Sequence, residues 1–274
     1  MTKDEIQQAI VDALGQHASY TSRLSSANVN EIIKQFDTLS NAQIRELQEI
    51  LENLSSAELS ALASAKYTTP ALKEFKSTLD EWMTQITAQL QPIFVESAIA
   101  LASYEASYIY RLADKKAPAI SGKSLYNQAK NKPYGGGLIV DQIFPNISDQ
   151  LRKNVEHVIR DGISQDQTTQ QIVRRIKGTK AQDYNDGLLA ASRKDITTEV
   201  ITARNHVTAI SYADTWKALG FEYVIDLATL DGRTSKYCSS IDHRVQKLDE
   251  NTKKPPYHRR CRTVQVGTDK DGNL

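Results

Sequence analysis

Two thiols and two imidazoles recur near the end of the chain with the spacing Cys238-x4-His243-x14-His258-x2-Cys261. Thiolate sulfur and neutral imidazole nitrogen are the donors that suit a tetrahedral zinc ion, so the four residues together can close such a site. His258 and Cys261 have the short separation of a zinc knuckle and follow the stiff pair Pro255-Pro256, whereas the first half lacks the usual Cys-x2-Cys pairing. The same residues also fit a partial site or a single disulfide. They equally fit two thiols without covalent or metal role, with His258 capping a turn and His243 exposed. Cys238 and Cys261 are the only cysteines, which excludes a scaffold stapled by several disulfides.

Arginine's planar fork suits phosphate, and two clusters offer it: Arg174-Arg175-x-Lys177, and Arg259-Arg260-x-Arg262 with Lys253-Lys254 upstream. Their plain alternatives are a solvated helix face and a charged turn. Neither carries the interleaved aromatics of a single-strand binder. Gly122-Lys123-Ser124 resembles the end of a phosphate loop, but the required upstream glycine is Ala117 and no buried strand precedes it. His17, His157 and His206 stand alone, and the spacing discloses no nucleophile–base pair and no paired carboxylates, so no catalytic residue is assigned.

These residues need elements to position them. The chain has 274 residues, enough for one or two domains with a core of their own. Apolar spacing is helical through the first part, with capping boxes at Thr2-x-x-Glu5, Asn28-x-x-Glu31, Ser40-x-x-Gln43 and Ser55-x-x-Glu58 marking four helix starts. Thr69-Pro70 opens a long amphipathic helix that Pro92 should kink. From 115 to 147 prolines and the Gly135-Gly136-Gly137 run break the pattern and suggest a connector. Ser148 then opens a short helix stopped by Gly162, a second closes on Gly178, and a long helix ends near Gly220. Tyr223 to Ala228 and Thr263 to Val266 are β-rich. The expected fold is α+β, predominantly α-helical, with a long-helix region at 1–114, a connector at 115–147, and a module at 148–274 divided into helices (148–220) and a small turn-rich β part (221–267).

With 34 Lys+Arg against 33 Asp+Glu the formal charge is +1, so the chain is no global polycation. The sum hides polarity. Residues 1–69 carry five basic and nine acidic side chains, and residues 230–274 carry ten basic and six acidic. The first residues are acidic where an export signal would be basic, and the most apolar stretch is too short for a membrane span, so the sequence reads as an unexported chain.

The second half resembles the Mu F-like minor head proteins of tailed bacteriophages, the head morphogenesis family, over about residues 130–267. The resemblance rests on Gly162-Ile163-Ser164, Ile176-Lys177-Gly178, Thr198-Glu199 with Asn205, Asp231-Gly232-Arg233-Thr234, Cys238, Ile241-Asp242, and Pro255-Pro256-Tyr257-His258-Arg259-Arg260-Cys261-Arg262. His243 stands where a glycine is common, Thr263 where a second Cys often follows, and Thr197 where an Arg often precedes Thr-Glu. His243 then offers a substitute ligand. The resemblance implies a non-enzymatic virion component inside the phage head, made in the host bacterial cytoplasm. It implies binding to portal, major capsid or scaffold proteins and to packaged double-stranded DNA, roles in capsid assembly and DNA packaging, and ejection with the DNA. Within the motif, Asp231, Arg233, Thr234, Asp242, Pro256, His258 and Cys261 are expected to form a conformational knot, with Arg233 forking onto a carboxylate. The rival reading is a metal-dependent, treble-clef-type nuclease using His258 as base or ligand on DNA.

Overall fold

The computed structural model describes residues 3–273. Eight α-helices and one three-stranded sheet appear among them: α1 Lys3–Asn53, α2 Ser56–Ala63, α3 Pro70–Leu112, α4 Gly122–Lys130, α5 Ile143–Ser164, α6 Thr169–Lys177, α7 Leu188–Ala218, β1 Tyr223–Leu227, α8 Lys236–Ser240, β2 Val245–Lys247 and β3 Val264–Thr268. The protein is thus α+β and predominantly helical. No described helix is long and apolar enough to cross a membrane.

Two compact units interleave along the chain, so the pattern-based division at 114 and 147 does not coincide with them. One takes Met1–Val29, Phe94–Gln142 and Thr198–Leu274, and the other takes Asn30–Ile93 and Ile143–Thr197. The three longest helices contribute residues to both. In the second unit, Phe36, Phe75, Trp82, Leu90 and Val155 are among the side chains withdrawn from solvent. Arg152–Asp80 and Arg193–Asp37 ion pairs tie its helices together at the surface. In the first unit, Ile109, Tyr212, Trp216, Val224, Ile225 and Val266 form the apolar centre on which the sheet is built.

The start signals fare unequally, for physical reasons. Ser55 is a true N-cap: its hydroxyl accepts from the Glu58 amide, and the Glu58 carboxylate accepts from the Ser55 amide. Thr69 likewise receives the Leu72 amide. Asn28 and Ser40 are not starts, because α1 runs through both. Both are buried: Asn28 Oδ1 accepts from Arg204, so the atom that reads as a cap serves a tertiary contact, and the Ser40 hydroxyl has no hydrogen-bond partner among the described residues. The Thr2-x-x-Glu5 box lies outside the described residues. α3 continues through Pro92.

The expected connector contains α4, whose N-cap Ser121 accepts from the Ser124 amide. Gly122 opens α4 where a Cβ would run into the Ile99 carbonyl oxygen, so this glycine marks a helix contact and no phosphate loop. α5 starts at Ile143, before the expected Ser148, which is buried and shares a hydrogen bond with Thr87. Gly162 does not stop that helix. It lies inside α5 because a Cβ there would sit 2.5 Å from Ile172 of α6. Gly178 does cap α6, with φ +89.

The sheet has the order β2-β1-β3, antiparallel throughout, with Ile225 paired to both Val245 and Val266. β1 and β3 match the β-rich runs of the sequence. β2, three residues in a charged stretch, carries too little alternation to be read from the sequence alone.

Candidate metal centre and the hydrogen-bonded knot around it

Cys238 comes to the centre on α8, a single turn capped by Ser235, whose hydroxyl accepts the Cys238 amide at 3.1 Å. His258 and Cys261 arrive on the loop before β3, where the Cys261 amide closes a turn onto the His258 carbonyl. The Pro255–Pro256 peptide that leads in is cis. The two arms bring Cys238 Sγ to 3.1 Å from His258 Nε2 and 3.6 Å from Cys261 Sγ, and the three donor atoms all lie within 4.8 Å of one another.

These distances favour a shared ion over a covalent bridge. A disulfide needs about 2.05 Å between sulfurs, whereas two thiolates each about 2.3 Å from one tetrahedral zinc stand about 3.8 Å apart. Both cysteines are free thiols. The imidazole is set up for the same purpose. His258 Nδ1 lies 2.8 Å from the Arg259 carbonyl oxygen, which can only accept, so Nδ1 carries the proton and Nε2 turns its lone pair toward the sulfurs. The Ser235 hydroxyl lies 2.9 Å from Nε2 and can donate to it.

Burial pushes the Cys238 thiol up, but hydrogen bonds, led by those with Ser235 and Thr263, outweigh it and hold Cys238 below an ordinary thiol. Burial keeps Cys261 raised, against hydrogen bonds from the Thr263 and Tyr257 amides. A divalent ion binding there would displace the thiol protons. Thr263, beside both thiols, is buried and has no nitrogen or oxygen partner for its hydroxyl among the described residues. A Cys–His–Cys group that could hold a metal ion is therefore present, with one corner not supplied by cysteine or histidine.

His243 is not part of it. Its ring pairs with Asp242 Oδ2 at 2.9 Å and is 68% exposed, while its amide, at φ 60, bonds to the Asp226 carbonyl. That left-handed backbone is why glycine would suit the position.

A single stripe of α7 grips the His258–Cys261 loop. Glu199 Oε1 accepts from Arg259 Nε at 2.6 Å, Thr202 Oγ1 accepts the Arg260 amide at 3.0 Å, and Asn205 Nδ2 donates to the Cys261 carbonyl at 2.8 Å. Positions 199, 202 and 205 share one helix face. From the opposite side of the sequence, Gly135 donates its amide to Pro256, and a Cβ at Gly135 would crowd the Pro256 oxygen and His258 backbone at 3.0–3.2 Å.

The residues expected to form one knot fall into separate contacts. Asp231 takes its bidentate fork from Arg262, at 2.6 and 2.7 Å, not from Arg233, which adds a backbone amide and one looser contact and is 80% exposed. The Arg262 bond, aided by the Arg233 amide, holds the Asp231 carboxyl far below the usual range. Thr234 accepts the Asp231 amide and donates to the Thr229 carbonyl. Asp242 Oδ1 accepts the Ala228 amide at 2.8 Å.

The hub that sequence reasoning missed is Asp226 on β1, fully buried. It accepts from Arg244, Gln246, Tyr257 and Gln265 at 2.6–3.0 Å. Burial and the bond to this carboxylate keep the Tyr257 phenol protonated. A lone acid in the otherwise apolar run Tyr223–Leu227 was the available signal. A second missed cluster joins α1, α3 and α7 in the same unit: Glu105, fully buried, accepts from Tyr212 and pairs with His17, while buried Arg204 bonds Ser25, Asn28 and Ser97. His206 is buried, donates Nε2–H to the Ala129 carbonyl and is pushed down to about 4 by burial, which leaves it neutral.

The basic clusters are partly spent internally. On α6, Arg175 pairs with Asp161 at 2.6 Å and Lys177 lies over the Tyr184 ring, while Arg174 is exposed. In the loop, Arg259 and Arg262 hold Glu199 and Asp231, and Arg260 is exposed.

Comparison with protein-family models, curated proteins and solved structures returned no match.

Proposed function

We propose that this protein is a non-enzymatic minor head component of a tailed bacteriophage, a Mu F-like head morphogenesis protein. On this reading it is housed inside the virion head, binds portal or capsid and scaffold proteins together with packaged double-stranded DNA, and leaves with the DNA on infection. One observation carries the reading. Residues of the family-like motif dispersed from Glu199 to Arg262 have conformational tasks in one module: Glu199 and Asn205 hold the loop, Asp231 and Arg262 lock the turn, and Asp242 closes the strand end.

Zinc fits the Cys–His–Cys group, with Cys238, His258 and Cys261 as ligands and a thiol-rich donor set suited to a structural ion. Bound there, zinc supplies a cross-link between α8 and the loop before β3. The test of function is mass spectrometry of purified full heads of a phage encoding this chain: it is expected among the virion proteins, and its absence would leave no retained head component.

Three protein donors, one fewer than a closed structural site, favour a second reading as a metal-dependent nuclease, because hydrolytic zinc centres keep a position for water. Incubation with plasmid and zinc or magnesium separates the two. Intact DNA agrees with the structural protein, and metal-dependent cutting that a chelator stops would replace it.

A further inference from the structure

The unit that carries the metal centre also contains an apolar pocket of about 270 Å³ that neither reading uses. Leu112 at the end of α3, Trp216 and Leu219 at the end of α7, Phe221 and Val266 form its walls, and Lys115 stands on its lining as the one charged residue. The volume is nearly twice the ~150 Å³ that accommodates benzene in an engineered apolar cavity.

The walls are built and held. Trp216 donates its indole N–H to the Gln265 carbonyl at 3.2 Å and meets Phe221 edge to face at 5.2 Å. Gly220, at φ +91, turns the chain so that Phe221 folds back, and Gly267 leaves the room in which both rings lie, since a Cβ there would stand 2.7–2.8 Å from them. Just past α3, Asp114 takes φ 53 and the Lys115 amide bonds back to the Tyr110 carbonyl, which holds the Lys115 backbone while the residue stays exposed. Asp114, exposed, is its neighbour in sequence.

An apolar, half-open pocket with a single cation at its lining is complementary to an apolar body ending in one negative charge. We infer that this pocket binds a medium-chain aliphatic carboxylate, its tail between Trp216, Phe221 and Leu219 and its carboxylate at Lys115.

Decanoate and decanol are the probes, with the purified full-length chain and a bromine-substituted decanoate to quench tryptophan. Trp216 lies in the pocket wall, whereas the other tryptophan, Trp82, is fully buried in the other unit and serves as the unquenched reference. Saturable quenching of about half the emission is expected, competed by decanoate. Lys115→Glu should weaken decanoate at least tenfold while changing decanol less than twofold, and Ala113→Phe, which puts a ring on the lining, should abolish both. Quenching that does not saturate overturns the site. Equal loss of decanol and decanoate in Lys115→Glu, or equal binding of the two by the wild type, overturns the carboxylate. A concentration-dependent dimer that Ala113→Phe dissolves would assign the pocket to a second copy of the chain and overturn the ligand.

Discussion

Cys261 sits where three constraints meet: its sulfur faces Cys238, its carbonyl is held by Asn205, and the next residue, Arg262, is forked onto Asp231. Few groups in the module have so little freedom, and that pre-positioning is what a metal site requires of its ligands. Purified under mild conditions, the wild type should carry about one zinc per chain by elemental analysis. Cys261→Ser and His258→Ala should each lose it, and His243→Ala should keep it because that ring points to Asp242. Retention in all three variants would remove the centre.

Asp231 and Asp226 lead to different expectations although both are carboxylates bound by arginine. Asp231 is exposed and its folded pKa is depressed, so the stability it contributes is fully present above the unfolded value of about 3.9 and is lost as pH falls below that. Thermal midpoints of wild type and Asp231→Asn should therefore differ by a constant amount from pH 7 to pH 5 and converge in more acid solution. Asp226 is buried with four side-chain donors around it. Asp226→Ala strands those donors and should cost about 3–5 kcal/mol in urea titrations, the lower end being apt because Arg244 reaches solvent.

At the scale of elements, the distinction between a helix that stops and one that packs governs what could be read from the chain. Gly162 and Gly178 look alike in sequence, each ending an apolar run. Gly178 takes a positive φ and ends α6, whereas Gly162 stays helical and makes room for Ile172. Asn28 and Ser40 carry cap chemistry, but burial claimed their side chains, and nothing in local spacing separates a capping asparagine from one that meets an arginine 176 residues away. Ser55 and Thr168, whose partners lie three residues on, were or would have been readable for that reason. The metal centre divides along the same line. His258 and Cys261 were legible as a local pair, Cys238 joined them as the only other thiol, and His243 was misassigned because a left-handed turn that diverts a ring leaves no spacing signal. Gly162→Ala tests the packing argument. On a solvated helix it would stabilise by up to about 1 kcal/mol, but here the added methyl meets Ile172 and a net loss of about 1 kcal/mol is expected from overpacking. Measured in an Ile172→Ala background, the Gly162→Ala penalty should largely vanish, a coupling that a double-mutant cycle in denaturant reads.

For the whole molecule, the question left by a formal charge of +1 is where an anionic partner finds purchase. The sequence offers six basic residues in two clusters, but ion pairs with Asp161, Glu199 and Asp231 engage three of those arginines, and Lys177 lies over an aromatic ring. Moving one of the paired arginines onto phosphate strips a partner from a carboxylate, an opposing cost that the exposed Arg174 and Arg260 do not meet. On the DNA-binding reading, each of these two carries a contact in its own unit. The plot of log affinity for duplex DNA against log salt should flatten by about 0.9 for each phosphate contact removed, so Arg174→Ala and Arg260→Ala should each reduce the slope and add in the double variant. Arg262→Ala should leave the slope unchanged and lower the thermal midpoint instead, because its fork belongs to Asp231. A slope that responds to Arg262 and ignores Arg174 and Arg260 would mean that the knot opens to bind, and the basic turn, not the helix, would then be the surface that meets DNA.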